Sequence, residues 1–355
     1  MRLCYNYGMN FGKSVGNFFA LDIGTTAVRV VELAHSSSGW DLKHYGVQPI
    51  DSKLSESTAE HDRRELGETI VRLVEQSGIK TRDVAIGLPT NKIFFTVVEL
   101  PTASRQELNN AIKYQLSSYI PLKVDESKAD WAILGQSVND SSKTEVLIMA
   151  VKNDYTESRL EFIESLGFSV VAIEPDSLAI VRSLLPDGIS DGRLIIDMGE
   201  SATDIIATLG TAPRLVRSIP IGLATLVRMA KQNLNVDEAQ ARQLVLKFGV
   251  SEANLNGQLS RALEPALRQF TLELTKSVNY FSSRYQNSVI SSVLVSGYTS
   301  ILTGFPEFIS SKMSLQVQVA TPWQHVNVPS NAQTSLAPIS SQMAVTVGLA
   351  ERLGI

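Results

Sequence analysis

The sequence contains very little cysteine and histidine, and it has no long apolar run. Its one cysteine, Cys4, excludes an internal disulfide framework and favours a reducing compartment such as the cytoplasm. The four histidines (His35, His44, His61 and His325) show no paired ligand spacing, which disfavours a metal–imidazole site. No segment reaches the roughly 18 to 20 apolar residues of a membrane span, and no Gly-x-Ser-x-Gly motif supports a hydrolase triad.

The amino-terminal segment lacks the features of a signal or a phosphate-binding P-loop. Residues 1–24 have no long apolar core and no cleavage site of small residues, so a secretory signal is not expected. In GMNFGKS, Gly8 to Ser14, three residues separate the glycines where a P-loop needs four, and no strand precedes them. Met9 is an alternative start.

The charge balance is nearly neutral. Lys and Arg number 32 against 36 Asp and Glu, which gives a net charge of −4, and no basic stripe is present. Nucleic acid is therefore not an expected partner. With 355 residues, 44% of them hydrophobic, the chain is long enough for two or three folded domains.

Two stretches of the chain repeat one layout. LDIGTTAVRVVEL (Leu21 to Leu33) and LIIDMGESATDIIATL (Leu194 to Leu209) each place an aspartate and a glycine after an apolar strand, followed by small hydroxyl residues and a second strand. Such a turn presents backbone N–H and hydroxyl groups to a phosphate. Two aspartates facing each other, Asp22 and Asp197, would hold hydrated magnesium through its waters. The repeat predicts two related α/β halves.

A compact unit is predicted between the repeats, from Lys92 to Lys152. Strand patterns enclose a helix that begins at Ser104, whose capping box uses Glu107, and that stops before Pro121. We expect the apolar stripe of this helix to pack on its own sheet, although a partner-binding face is an alternative. Further helices are predicted over 63–76, 237–248 and 260–286, and a surface loop over 320–341 before a last helix.

A third element, VLVSGYTSILTGFP (Val293 to Pro306), ends a strand at Ser296 and Gly297 and then turns towards a helix. Backbone in such a turn can lie against a nucleoside, although an ordinary strand-to-helix loop is an equally simple interpretation.

Together these elements resemble the actin-like ATPase superfamily. The ordered segments IGLPTNKIFFTVVELP, SRQELNNAIKYQLSSYIPL, DWAILGQS, EVLIMAVKNDYTES and IEPDSLAIVRSL resemble the PilM family of type IV pilus assembly proteins, relatives of FtsA, over nearly all the chain after Phe18. The resemblance implies an α/β fold of two duplicated ribonuclease H-like domains with an inserted subdomain in each half. The implied subdomains are 1A (1–90, 170–191 and 342–355), 1C (91–169), 2A (192–225 and 288–341) and 2B (226–287).

The resemblance also implies a function. It predicts a cytoplasmic nucleotide-binding scaffold that binds the amino-terminal tail of a PilN-like inner-membrane protein, with other pilus platform or motor proteins as further partners. The membrane would be reached only through such a partner. ATP and Mg²⁺ are the implied cofactors, with little or no ATPase activity. Two alternatives stay open: a slow magnesium-dependent ATPase or small-molecule kinase, and a degenerate scaffold that has lost nucleotide.

The resemblance implies particular site residues, which form two phosphate turns and a nucleoside pocket. The first turn comprises Asp22, Gly24, Thr25, Thr26 and Arg29, which stands where lysine is usual. The second comprises Asp197, Gly199, Glu200, Ser201 and Thr203. The nucleoside side comprises Gly222, Arg242, Val245, Ser296, Gly297, Tyr298 and Gly304. Asp22 and Asp197 would bind the metal through water.

Some positions depart from the family pattern or have two interpretations. Tyr298 stands where a second glycine is usual and would crowd a nucleoside, and Arg242 and Val245 replace residues that contact the ribose and adenine. The nucleoside half therefore looks eroded while the phosphate half looks intact. Glu174 and Asp176 are weak catalytic candidates, and their favoured interpretation is that they form a helix entry.

Overall fold

The computed structural model describes residues 17–36 and 39–352. Cys4, Met9 and the GMNFGKS segment lie outside these residues. The strands are β1 (Phe19–Ile23), β2 (Ala27–Ser36), β3 (Gly39–Pro49), β4 (Asp83–Leu88), β5 (Ile93–Pro101), β6 (Ser127–Gln136), β7 (Lys143–Lys152), β8 (Ser169–Pro175), β9 (Gly192–Met198), β10 (Thr203–Leu209), β11 (Ala212–Ile219), β12 (Ile290–Gly297), β13 (Gln316–Val319) and β14 (Val326–Asn327). The helices are α1 (Glu60–Gln76), α2 (Arg105–Tyr119), α3 (Asn153–Ser165), α4 (Asp176–Leu184), α5 (Leu223–Leu234), α6 (Glu238–Phe248), α7 (Gln258–Arg284), α8 (Phe305–Met313), α9 (Ser330–Leu336) and α10 (Ala344–Ala350).

Two sheets share one plan. The first has the order β14-β3-β2-β1-β4-β8, and the second has the order β11-β10-β9-β12-β13. In each, an antiparallel hairpin (β1–β2 or β9–β10) is followed by a parallel strand (β4 or β12) beside its first member. This repeated plan confirms the duplication predicted from the two aspartate turns.

Helices cover both faces of the first sheet because its strands are apolar on both sides. Phe19 and Leu21 of β1 pack with Ile70 of α1 on one face. Ala20 of β1 packs with Val347 of α10 on the other. The first four residues of β1 are therefore buried, as expected for a strand paired on both edges and covered on both faces.

The inserted unit is a three-stranded sheet, ordered β5-β7-β6, covered by α2. Ser104 and Glu107 form the predicted capping box, and the helix ends at Tyr119. Leu108 and Ile112 of α2 pack on Ile148 of β7. This packing confirms that the apolar stripe of α2 faces its own sheet.

Two segments pack differently from the prediction. Phe162 of α3 joins the core of the first sheet, although the resemblance placed 91–169 in the inserted subdomain. The predicted surface loop over 320–341 is wrong, because it contains β14 and α9, and Trp323 and Leu336 are buried against the first sheet. Polar composition favoured a loop there, but a few apolar side chains anchor the segment.

A buried ion pair joins the inserted unit to the second half. Arg214 Nε of β11 lies 2.7 Å from Glu145 Oε2 of β7, and both side chains are buried. Arg284, at the end of α7, donates to the Val97 carbonyl of β5. These contacts fix the inserted sheet beside the second sheet.

Over residues 17–36 and 39–352, no helix combines the length and the apolar character that crossing a bilayer requires.

Candidate functional site

The turns of the two duplicated hairpins face each other across a cleft of about 1040 Å³. The Thr25 and Ser201 hydroxyl oxygens lie 3.4 Å apart across it. Of the predicted residues, those that line the cleft are Asp22, Gly24, Thr25, Thr26, Arg29, Asp176, Asp197, Gly199, Glu200, Ser201, Gly297 and Tyr298. Asp22 and Asp197 therefore face one cleft from opposite halves, as the sequence predicted.

The first turn is held by an ion pair across its hairpin. Asp22 and Arg29 are register partners, and Arg29 Nη1 donates to Asp22 Oδ2 at 3.0 Å while Nη2 donates to Gln342 Oε1 at 3.2 Å. The Gly24 N–H donates to the Ala27 carbonyl. A Cβ at Gly24 would lie 2.8 Å from Arg29 Nη1. Glycine therefore permits the turn and the ion pair to coexist.

The second turn repeats this geometry with a different charge. The Gly199 N–H donates to the Ala202 carbonyl. The register partner of Asp197 is Asp204, where the first hairpin has a cation. Burial, reinforced by the Asp204 charge, raises the pKa of Asp197 to about 7. The second hairpin thus contributes the carboxyl groups of Asp197 and Asp204 to the cleft, in addition to that of Glu200 in its turn.

Asp204 was not predicted as a site residue, although the sequence carries a signal for it. It follows Asp197 by seven positions, as Arg29 follows Asp22, so both pairs span their hairpins in the same way. Burial raises the pKa of Asp204, and the nearby Thr90 and Ser218 side chains oppose that shift.

The cleft holds more acidic than basic groups. Asp22, Asp176, Asp197 and Asp204 line it, whereas Arg29 and Arg159 are the lining cations among the described residues. Glu56 and Glu200 also line it, but these are paired with Lys92 and Arg242.

Burial and its acidic neighbours Asp22, Asp204 and Asp197 raise the pKa of Asp176 well above the usual value. Asp176 Oδ1 is buried without a hydrogen-bond partner among the described residues. A cluster of carboxylates with an unsatisfied oxygen suits a hydrated divalent cation. Mg²⁺ typically binds in this way, because it keeps several of its waters when carboxylates hold it.

The two catalytic candidates, Asp176 and Glu174, lie in different environments. Asp176 is the first residue of α4, and its side chain lines the cleft. Pro175 occupies the N-cap position and makes no side-chain cap bond, so Asp176 is not the cap. Glu174, by contrast, does not line the cleft. It is fully buried, and its two oxygens accept from Arg182 at 2.5 Å and Arg352 at 3.0 Å.

Several predicted residues serve the walls rather than the cleft itself. The Thr203 hydroxyl donates to the Ile221 carbonyl at 2.5 Å, and the Ser296 hydroxyl donates to the Ser341 carbonyl at 3.0 Å. Val245 is fully buried in the core of the second half. Gly222 packs against the Glu200 backbone at the start of α5, and Gly304 caps α8 in a left-handed conformation. These positions shape the site and leave its lining to others.

The residues predicted for the nucleoside side include Gly297, Tyr298 and Arg242. Gly297 has φ +60, and a Cβ there would meet the Met198 backbone, so glycine is required. Next to it, Tyr298 lines the cleft. Arg242 forms a two-bond ion pair with Glu200, at 2.7 and 2.6 Å. Tyr298 and the Arg242–Glu200 pair therefore lie on the side predicted for the nucleoside, while carboxylate and hydroxyl groups line the cleft at the two turns.

A second cavity of about 630 Å³ adjoins the cleft where the inserted unit joins the first half. Its apolar floor is formed by Leu54, Leu66 and Phe162, which are nearly fully buried. Its rim carries Arg63, Lys92, Tyr155 and Arg159, with hydroxyl groups of neighbouring serines and Thr58. We call this cavity the junction groove. Arg159 and Ser55 line both the groove and the cleft.

One histidine lies near carboxylates on α1. Ligand atoms of His61, Asp62 and Glu65 lie within 4.8 Å of one another, a grouping that spacing between histidines did not predict. The Asp62 carboxylate accepts a hydrogen bond from Ser57, and His61 and Glu65 are exposed. Such a surface cluster carries no sign of a bound ion.

Comparison with known proteins matches both the fold and the sequence pattern. The family model described as type IV pilus assembly protein PilM matches residues 20–353. The solved "PilM-PilN type IV pilus biogenesis complex" superposes with a TM-score of 0.81 at 22% identity, covering 95% of this chain and 98% of that one.

Two more distant structures share the fold. The ethanolamine utilization protein EutJ from Carboxydothermus hydrogenoformans has a TM-score of 0.55 at 15% identity, over 96% of this chain and 91% of that one. MreB5 of Spiroplasma citri bound to ADP has a TM-score of 0.54 at 11% identity, over 93% and 94%. The family match spans both duplicated halves and the inserted unit. The chain is therefore a member of the PilM family of type IV pilus assembly proteins, with the actin-like fold that its duplicated hairpins predicted.

Proposed function

We propose that this chain is a pilus-assembly scaffold that binds the amino-terminal tail of a PilN-like inner-membrane protein in its junction groove. The observation that carries the proposal is the family match over residues 20–353. The structural neighbour was solved as a PilM–PilN complex, which supports the same partner here. The kinase and degenerate-scaffold alternatives have no comparable support.

The groove has the chemistry that a short extended peptide needs. Leu54, Leu66 and Phe162 offer an apolar floor for one or two side chains of the tail. On the rim, the Arg159 guanidinium stacks near the Tyr155 ring at 5.7 Å, and the Lys92 ammonium lies 5.6 Å from the same ring. Cationic donors on the rim suit peptide carbonyls and acidic side chains, while the floor supplies apolar burial.

The cleft is proposed to hold the phosphate chain of ATP with Mg²⁺. Asp22 and Asp197 would hold the metal through water, and the Thr25 and Ser201 hydroxyls with the turn amides would receive phosphate oxygens. MreB5 of Spiroplasma citri, solved with ADP and with AMPPNP, supports nucleotide as the ligand class for this fold. Mg²⁺ held there would offset the charge of the carboxylate cluster, and residues of both turns would orient the phosphate chain. A scaffold does not require rapid hydrolysis of ATP.

The proposed location follows from the partner. A tail that projects from an inner-membrane protein would hold this chain on the cytoplasmic face of that membrane, where other platform or motor proteins of the pilus could contact it. Fractionation of cells with and without the PilN-like protein tests this, because the chain should leave the membrane fraction when its partner is deleted.

Binding of a synthetic peptide tests the central proposal. The peptide carries the amino-terminal tail of the PilN-like protein encoded with this chain, and calorimetry measures its affinity. Saturable binding is expected, and Arg63→Glu should weaken it at least tenfold, because the substitution reverses a charge on the groove rim. Arg72→Glu is the matched control, since Arg72 is exposed on the same helix outside the groove. Absence of saturable binding to the unaltered chain overturns the proposal.

A further inference from the structure

The cleft is open between its two phosphate turns and closed beyond them, towards α6. On the open part, the Thr25 and Ser201 hydroxyl oxygens lie 3.4 Å apart, on side chains that are half-exposed and exposed. On the closed part, Glu200, Tyr298 and Arg242 converge from three separate elements. We propose that the cleft, as folded, recognises a magnesium-bound phosphate chain alone, and that Arg242, Glu200 and Tyr298 exclude the nucleoside of a nucleotide. This rests on the proposed phosphate site.

The ion pair has the geometry of a strong contact. Arg242 Nη1 and Nη2 donate to the two oxygens of Glu200 at 2.7 and 2.6 Å, and the Glu200 side chain is 8% exposed. Two parallel charge-assisted bonds fix the guanidinium in plane with the carboxylate and are stronger than neutral hydrogen bonds. The pair therefore ties α6 to the second phosphate turn.

Helix α6 is also anchored at its far end. It ends at Phe248 with Gly249 as its C-cap, and the following residue, Val250, donates its N–H to the Thr303 carbonyl at 2.8 Å. Val245, on the inner face of the helix, is fully buried in the core of the second half. A ligand that extended from the phosphate turns towards α6 could not enter by shifting the helix as a whole, and would have to break the Arg242–Glu200 pair.

Tyr298 closes the remaining space. Its phenol lies near the Thr26 side chain in the first half and near Arg242 in the second, and both oppose the rise that burial causes in the pKa of Tyr298. The ring therefore extends from the second half to the first beyond the phosphate turns. Replacing this side chain by hydrogen would remove the obstruction and the link between the halves.

Charge gives the ion pair a second role. Glu200 lies on the second phosphate turn and lines the cleft, so an unpaired Glu200 carboxylate would repel an incoming phosphate. Arg242 neutralises it. A nucleoside that displaced Arg242 would therefore lose phosphate affinity as it gained its own contacts, and the phosphate chain alone has no such conflict.

Calorimetry with two probes tests the inference. Inorganic triphosphate and ATP are titrated in excess magnesium, and the readout is the ratio of the triphosphate Kd to the ATP Kd. For the unaltered chain we expect a ratio within threefold of one, because the nucleoside adds no net contact. In Tyr298→Gly the ratio should rise at least tenfold. Arg242→Ala gives a second, independent variant that should move the ratio in the same direction.

Arg217→Ala is the matched control. Arg217 pairs with Glu273 at 2.6 Å and is 40% exposed, close to the 35% of Arg242, and it does not line the cleft. Its ratio should stay within threefold of one. ATP binding to the unaltered chain at least tenfold tighter than triphosphate overturns the exclusion of the nucleoside. Unchanged ratios in both variants overturn the role of these residues.

The same samples distinguish failure of the proposed phosphate site from failure of the proposed scaffold function. If neither probe binds, the phosphate site itself is refuted and this inference falls with it. Tail-peptide binding, measured in parallel, reports on the scaffold function independently of both probes.

Discussion

The hydroxyl oxygens of Thr25 and Ser201 lie 3.4 Å apart, although 176 positions separate them in the chain. This proximity places the turns of two duplicated hairpins on opposite walls of one cleft. An anion between the walls would meet donors from both halves, so ligand binding there would favour the closed arrangement of the molecule. The energetic link follows from mass action, since a ligand selective for one state stabilises that state.

Neutral substitution should lower ligand affinity at Asp176 and lower the free energy of unfolding at Glu174. Asp176→Asn removes one of the crowded cleft carboxylates, so we expect at least tenfold weaker binding of magnesium triphosphate in calorimetry. Glu174→Gln leaves the cleft intact but removes the buried carboxylate charge that pairs with Arg182 and Arg352. Breaking such a pair typically costs about 3–5 kcal/mol of unfolding free energy.

Urea denaturation should therefore detect the Glu174 change, while its ligand affinity per folded molecule stays within twofold. A Glu174→Gln variant that keeps its stability yet no longer binds magnesium triphosphate would place Glu174 in the cleft and contradict the structure.

The elements that could be predicted from sequence are those with strong local patterns. The capping box of Ser104 and Glu107 fixes where α2 begins, and Pro121 follows its end. The two aspartate turns predicted the duplication because each hairpin repeats one spacing of residue types. Local chemistry is sufficient for such features.

What sequence could not supply depends on tertiary packing. Trp323 and Leu336 lie in a polar stretch, and only the first sheet shows that they have a core to enter. The Arg242–Glu200 pair joins residues 42 positions apart, so neither residue alone indicated that the two form an ion pair. The sequence did not show that Glu174 pairs with Arg182 and Arg352, because these arginines come from two separate segments.

Arg159 and Arg63 should separate the two proposed sites. Arg159 lines both the cleft and the junction groove, whereas Arg63 lines the groove alone. We expect Arg159→Ala to weaken magnesium triphosphate and tail peptide by roughly tenfold each, because a charge-assisted hydrogen bond contributes about 1.5–3 kcal/mol. Arg63→Ala should weaken the peptide only. Calorimetry with both ligands checks this, and equal losses of triphosphate affinity in both variants would show that the two cavities are not distinct.

Asp130 should make the protein less stable as pH rises. Burial raises the pKa of Asp130 from 3.8 to about 6, although the Trp131 N–H hydrogen-bonds its carboxylate. The folded state therefore holds a proton between these values that the unfolded state has released, and the unfolding free energy falls as pH increases through this window. The full shift corresponds to at most roughly 3 kcal/mol.

Urea denaturation at pH 4.5 and 7.5, in EDTA, checks the sign. Asp130→Asn should remove part of the loss seen in the unaltered chain, while the exposed control Asp125→Asn should not. The raised pKa of Asp197 contributes a slope of the same sign, so the difference between variants is the quantity to compare. Equal slopes in all three proteins would contradict the burial of a protonated Asp130.

The Glu145–Arg214 pair should hold the inserted unit against the second half. Both side chains are almost fully buried, and their closest atoms lie 2.7 Å apart. Glu145→Ala leaves the Arg214 charge buried without its partner, so we expect a loss of about 3–5 kcal/mol of unfolding free energy. Glu264→Ala is the control, because its i, i+4 pair with Arg268 is exposed and such pairs contribute about 0.3–0.5 kcal/mol.

Replacing both buried partners by apolar residues gives the sharper test. Glu145→Leu combined with Arg214→Met removes both members of the ion pair, while Arg284 keeps its hydrogen bond to the Val97 carbonyl. Apolar replacement of buried ion pairs is often neutral or stabilising. The double variant should therefore recover most of the stability that Glu145→Ala loses, as measured by urea denaturation. If the double variant is as unstable as the single one, the pair contributes specific geometry that apolar packing cannot replace, and the desolvation account of this interface is wrong.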